Sequence, residues 1–122
     1  MVAIYVKELI KKFGDRTAVS IPEFCFPPNE IIGLVGNNGA GKTTLFRLIL
    51  NLIRSDKGMI DFCIIKQKIT ENYDTHLSNL EDSWKDFTGA YLDESFLIDF
   101  LTPEEYFAFI IKANKLDNKT LS

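Results

Sequence analysis

Eight residues limit this chain more than all the others: Gly36-Asn37-Asn38-Gly39-Ala40-Gly41-Lys42-Thr43. The run has the form G-x-x-x-x-G-K-[ST], which average residue frequencies produce by chance in roughly half a per cent of chains this long. It follows Ile31-Ile32-Gly33-Leu34-Val35, a stretch that is apolar without alternation. That pattern predicts a strand covered on both faces, as in the middle of a parallel sheet. From Lys42 to Ile53 the polar Arg47 and Asn51, followed by Arg54, fall on one narrow stripe, so a mostly buried helix is expected after the glycines. A strand, a glycine-rich bend and a helix in that order aim successive main-chain N–H groups and the positive helix end at one point. Such a point holds an anion.

Each side chain of the loop has a task in that chemistry. Gly36, Gly39 and Gly41 allow the main chain to approach phosphate oxygens where a Cβ would obstruct it, and Asn37, Asn38 and Ala40 fill the intervening positions of the cradle. Lys42 brings an ammonium to the β and γ phosphates, and Thr43 offers a hydroxyl oxygen to Mg²⁺, a hard cation. Thr44 adds a hydroxyl beside the α phosphate.

The rest of the chain must supply the walls. Val2, Ile4 and Val6 alternate with Ala3, Tyr5 and Lys7, the period of a half-buried strand, and Phe13-Gly14-Asp15-Arg16 supplies a turn. A second strand is expected from Val19 to Phe26, with Pro22 marking an edge or a bulge. Ser55-Asp56-Lys57-Gly58 is turn chemistry, and Met59 to Ile65 reads as a further strand or strand pair. Lys66 to Asp86 is polar and reads as a surface excursion with a short helix near Leu80 to Trp84. Phe87 to Leu92 reads as another strand, and Thr102-Pro103-Glu104-Glu105 has the spacing of a capping box opening a helix to about Asn114.

Composition narrows the classes. With 122 residues, 46% hydrophobic and 25% charged, the chain is that of one ordinary globular domain. Lys plus Arg total 14 against 17 for Asp plus Glu, a net charge of −3, so no broad cationic surface exists for a nucleic-acid backbone and nucleic acid is not an expected partner. Cys25 and Cys63 are far apart and outside any C-x-x-C pair, which leaves a zinc site nothing to build on; both are expected to be small buried hydrophobes. His76 lies in the polar stretch and is expected to be solvated. No export signal or span-length apolar run is visible, so a cytoplasmic location is expected.

At GLVGNNGAGKTTL the sequence resembles the ATP-binding subunits of ABC transporters, and the resemblance runs from the first strand to about Leu116. It implies an α/β P-loop NTPase fold of the ABC type: an antiparallel β layer beside part of a parallel sheet with flanking helices. Residues 1–122 would then be a single domain, the amino-terminal portion of such a nucleotide-binding domain. The resemblance implies ATP and Mg²⁺ as ligands, a second ATP-binding subunit and a membrane-spanning transporter subunit as partners, and a position against the cytoplasmic side of the cell membrane. Phe13, which lies 23 residues before Gly36 and is followed by Gly14, matches the family's aromatic-glycine pattern and would stack on adenine. The alternative reading from the residues alone is a turn aromatic closing the first hairpin. Asn29 stands where the family usually has glycine, and both residues enter left-handed torsions.

Gly89-Ala90-Tyr91-Leu92-Asp93-Glu94 has two readings. An apolar strand ending in Asp-Glu imitates a Walker B segment, in which Asp93 would hold Mg²⁺ and Glu94 would orient water, making a compact standalone NTPase. The aromatic segment that follows instead looks like the family's Q-loop leading into its helical subdomain, with Glu94 or Asp93 in place of the usual glutamine and still able to offer Mg²⁺ an oxygen. On that second reading, which we favour, the LSGGQ signature, the true Walker B strand and the catalytic glutamate fall beyond Ser122, and hydrolysis requires parts this segment does not contain. A non-catalytic remnant is the third reading.

Overall fold

The computed structural model describes residues 1–37, 39–68, 71–92 and 100–114. It divides into two compact units, residues 1–88 and 89–122. The first contains a four-stranded antiparallel sheet in the order β2-β1-β3-β4, formed by β1 (Val2–Phe13), β2 (Arg16–Phe26), β3 (Lys57–Lys68) and β4 (Glu71–Ser78). One helix, α1 (Lys42–Ile49), packs on it, and a 3₁₀ turn (Ser83–Phe87) follows β4. The second unit contains α2 (Pro103–Asn114).

The β1–β2 hairpin forms where turn chemistry placed it. Phe13 pairs with Arg16 across a two-residue turn whose first residue, Gly14, has φ +59, the requirement of a II′-type hairpin turn. Pro22 sits on an edge strand, where its missing N–H costs no ladder bond, and falls opposite Glu8. Glu8 itself has φ +49, and β1 spends two residues, Glu8 and Leu9, against Gly58 of β3. This bulge resets the alternation, so that Val6 and Leu9 both enter the core. A Cβ on Gly58, whose φ is +93, would overlap the Glu8–Leu9 backbone, so glycine is required opposite the bulge.

The core joins Val6, Leu9, Val19, Ile60 and Phe62 of the sheet to Leu45, Leu48 and Ile49 of α1 and to Trp84. Trp84 stacks on Phe62 at 4.9 Å between ring centroids. Its indole Nε1 donates to the carbonyl of Asn79 at 2.9 Å, and the buried Asn79 amide donates to the Leu48 carbonyl at 2.7 Å. The carboxyl end of α1 is therefore tied across 31 residues to the segment after β4. The helix ends in a Schellman pattern: Leu52 N–H donates to Arg47 O at 2.8 Å, Asn51 N–H to Leu48 O at 3.1 Å, and Asn51 takes φ +54.

Several expectations change. Lys66 to Asp86 is not a surface excursion, because β3 runs on to Lys68 and pairs with β4 in a hairpin; polar residues on an outer strand leave no apolar alternation to read. Helix α1 stops at Ile49 rather than Ile53. Residues 88–92 form no strand. Cys25 is exposed rather than buried.

The largest correction concerns Ile31 to Val35. The α/β class and the antiparallel layer stand, but the expected central parallel strand is not formed: residues 31–35 bond to no strand among the described residues, and Ile31 and Val35 are 105% and 92% exposed. An apolar run states a demand for cover on both faces. It does not supply the neighbouring strands, and every described strand belongs to the antiparallel sheet. Leu34 and Val35 instead line a cleft of about 200 Å³ together with Val19 and Ile21 of β2.

Candidate functional site

The bend between residue 36 and α1 lies against the β1–β2 hairpin. A register shift after Lys11 leaves Ala18 of β2 unpaired, since Lys11 faces Val19 and Lys12 faces Thr17. That bulge turns the Ala18 carbonyl toward the loop. Gly41, the residue before α1, has φ +93, and a Cβ on it would sit closer than 3.0 Å to the Ala18 carbonyl oxygen, a separation real Cβ atoms essentially never show. Glycine at 41 thus lets the amino end of α1 touch the edge strand. Gly39 has φ +84, and Ala40 N–H closes a turn on Asn37 O at 3.0 Å.

Two cations rest on loop carbonyls. The Lys42 ammonium donates to the Gly36 carbonyl and lies 3.4 Å from that of Asn37. The Arg16 guanidinium donates to the Gly39 carbonyl at 2.6 Å. Between them opens a cavity of about 470 Å³ lined by Phe13, Arg16, Ala18, Gly39, Gly41, Lys42, Thr43 and Thr44. Among the described residues no acidic side chain occurs in this lining. Phe13 is 53% exposed, with the Lys11 ammonium 5.2 Å from its ring centroid.

Most of the expected site residues come together here. Phe13, Gly39, Gly41, Lys42, Thr43 and Thr44 line the one cavity, while Gly36, Asn37 and Ala40 shape the loop behind it. Asn38, Asp93 and Glu94 lie outside the described residues. Sequence reasoning missed Arg16 and Ala18. The first carried no motif, and only the register slip in the hairpin, which leaves no mark in residue type, brings the second to the wall.

The arrangement can receive a phosphorylated aromatic ligand. Main-chain N–H groups at the start of a helix, an ammonium and a guanidinium attract negative charge. Two adjacent threonine hydroxyls, Thr43 exposed and Thr44 half-buried, add hydroxyl oxygens. The Phe13 ring, from the β1–β2 hairpin, lines the same cavity and has a flat apolar face.

Comparison with known proteins agrees with this chemistry. The profile of the ABC transporter family matches residues 19–118. The chain belongs to the ABC transporter family. Among curated relatives of this ABC domain, the ATP-binding protein ChvD of Rhizobium radiobacter is 44% identical over 59 residues, 48% of the chain and 21% of ChvD. The energy-dependent translational throttle protein EttA of Escherichia coli K12 is 33% identical over 86 residues, 70% of the chain and 16% of EttA. The phosphonates import ATP-binding protein PhnC of Rhizobium meliloti is 40% identical over 57 residues, 47% of the chain and 20% of PhnC. The matched segment therefore spans about a fifth or less of these relatives. No solved structure matches the ABC domain significantly.

Proposed function

We propose that this ABC domain binds Mg·ATP in the cavity between the β1–β2 hairpin and the start of α1, as the nucleotide-holding part of a larger ATP-binding protein. The observation that carries the reading is the convergence of Phe13, Lys42, Thr43 and Thr44 on one 470 Å³ cavity beside a loop that only glycine at 41 permits. The loop amides and Lys42 would hold the β and γ phosphates, Thr43 would give a hydroxyl to Mg²⁺, Thr44 would stand beside the α phosphate, and Phe13 would stack on adenine. The metal neutralises phosphate charge when bound. The chain's own residues position the polyphosphate by fixed N–H dipoles, exclude a Cβ at the closest approach, and supply positive charge through Lys42.

Binding without turnover is the expected behaviour of the 122 residues by themselves. They contain no LSGGQ run, and Asp93 and Glu94 read better as a Q-loop than as a Walker B pair. The exposed Ile31 and Val35 are consistent with a domain completed by further sheet. In the complete protein a second ATP-binding subunit would close over the γ phosphate. PhnC is by name an import protein and EttA by name a translational throttle, so the site is compatible with more than one mechanical output. Work against a membrane-spanning subunit, on the cytoplasmic face of the cell membrane, follows the first of these. Among the described residues no helix is long and apolar enough to cross a membrane.

The test is a thermal melt of the chain with Mg·ATP at millimolar concentration, with Lys42→Ala alongside. The reading expects stabilisation in the parent chain only. Absence of any Lys42-dependent shift favours a non-catalytic remnant. Steady-state turnover lost in Asp93→Asn and Glu94→Gln would favour a standalone NTPase.

A further inference from the structure

Arg16 stands outside the G-x-x-x-x-G-K-T motif and outside the aromatic-glycine pair, yet it ends on the same cavity wall. Its position follows from the hairpin: it is the first residue of β2, directly across from Phe13, so the two side chains are delivered to the loop together. Its guanidinium spends one N–H on the Gly39 carbonyl at 2.6 Å. A guanidinium carries five donors in a planar fork, and the rest are available to oxygen acceptors in the cavity. Among the described residues the one ion pair joins Lys85 to Asp82, so no described carboxylate neutralises Arg16. The chain as a whole carries a charge of −3, but among the described residues this cavity gathers Lys42 and Arg16 with no acid in its lining. Charge complementarity names the ligand as a polyanion.

Resting on the phosphate-loop reading given above, we infer that Arg16 is a second cationic contact for the nucleotide's polyphosphate, held in place by the Gly39 carbonyl. The tether has a physical consequence. An arginine on a hairpin end loses rotamer freedom when it binds an anion, and a guanidinium already fixed by one main-chain bond has less to lose. Arg16 thereby links the hairpin that carries the aromatic ring to the loop that carries the amides. The number of phosphates on the ligand should set how much Arg16 matters.

Calorimetric titration of the full 122-residue chain with ATP, AMP and adenosine, in the parent and in Arg16→Ala, Arg16→Gln and Arg16→Lys, tests this. Loss of one charge-assisted contact should weaken ATP about tenfold in the Ala and Gln variants. Adenosine should change by less than about twofold, AMP should fall between, and Arg16→Lys should recover most of the ATP affinity. The dependence of ATP binding on salt should also become shallower in the two uncharged variants. Equal losses for ATP and adenosine, or parent-like ATP binding by Arg16→Gln, would overturn the inference, the second because an uncharged tether to Gly39 would then suffice. Lys42→Ala separates the two layers. If it abolishes ATP binding while the Arg16 variants bind as the parent does, only the Arg16 inference fails; if it binds ATP normally, the phosphate-loop reading fails and takes Arg16 with it. Should Arg16→Ala melt early without ligand, the Gln and Lys pair decides the matter.

Discussion

Replacing Gly41 by alanine is the sharpest perturbation of the contact on which the site is built. The residue has φ +93, and an L side chain there costs about 1–2 kcal/mol from local sterics alone. The added Cβ would also overlap the Ala18 carbonyl oxygen and lie 3.3 Å from its carbonyl carbon and 3.4 Å from Val19 Cγ2. The first is backbone at a bulge and the last belongs to a buried core residue, so neither retreats freely; relief of such overpacking costs about 1–3 kcal/mol more. A total of about 2–5 kcal/mol in a unit of residues 1–88 corresponds to a fall in Tm of at least about 8 °C. If the loop moves instead of melting, Mg·ATP binding is lost at nearly normal Tm. Differential scanning calorimetry with and without nucleotide distinguishes these routes. Gly33→Ala is the control, because a Cβ there meets nothing within 4 Å. A Gly41→Ala protein that melts and binds nucleotide like Gly33→Ala would refute the reasoning.

Three further outcomes are expected. Asn79→Ala removes a buried amide that donates to the Leu48 and Ile49 carbonyls, and should destabilise the first unit by about 1–3 kcal/mol in urea unfolding; Asn79→Asp should do no better, since its carboxylate cannot donate. Thr102→Ala breaks one half of the box in which Glu105 N–H donates to Thr102 Oγ1 and Thr102 N–H to a Glu105 carboxylate oxygen, and should lower α2 stability by about 1 kcal/mol, seen as faster amide exchange in its first turn. Tyr5 donates to the Glu23 carboxylate, which raises its pKa through that bond first and through the adjacent negative charge second. The bond's contribution to stability is therefore complete below the ordinary phenol pKa and fades as pH rises through the raised one, so chemical denaturation at increasing alkaline pH should destabilise the parent more than Tyr5→Phe.

The glycine-rich bend before α1 was legible in the residues because its torsions are local. Glycine torsions are named by the motif itself, and Gly39 and Gly41 take positive φ with Lys42 opening α1. The β1–β2 hairpin and α2 were legible for the same reason, through Gly14 and through the Thr102 to Glu105 box. What failed was whatever depended on partners distant in sequence. Ile31 to Val35 reads as a central strand because its side chains ask for cover, but cover is given by other strands. The β3–β4 hairpin was hidden because an outer strand such as Glu71–Ser78 has polar residues where a core strand has apolar ones. Ala18 reaches the cavity only through a one-residue register slip, which leaves no trace in composition or periodicity, and Arg16 arrives there as the first residue of β2, across from Phe13, a place no motif marks.

The central claim is that the bend from Gly36 to Thr43 holds a triphosphate. A crystal structure of the chain with magnesium and a nonhydrolysable ATP analogue tests it most directly. The account predicts the β and γ phosphates against the loop amides and the Lys42 ammonium, with the base beside Phe13. An analogue bound elsewhere, or a loop closed on itself with Lys42 still on the Gly36 carbonyl at saturating nucleotide, would contradict it.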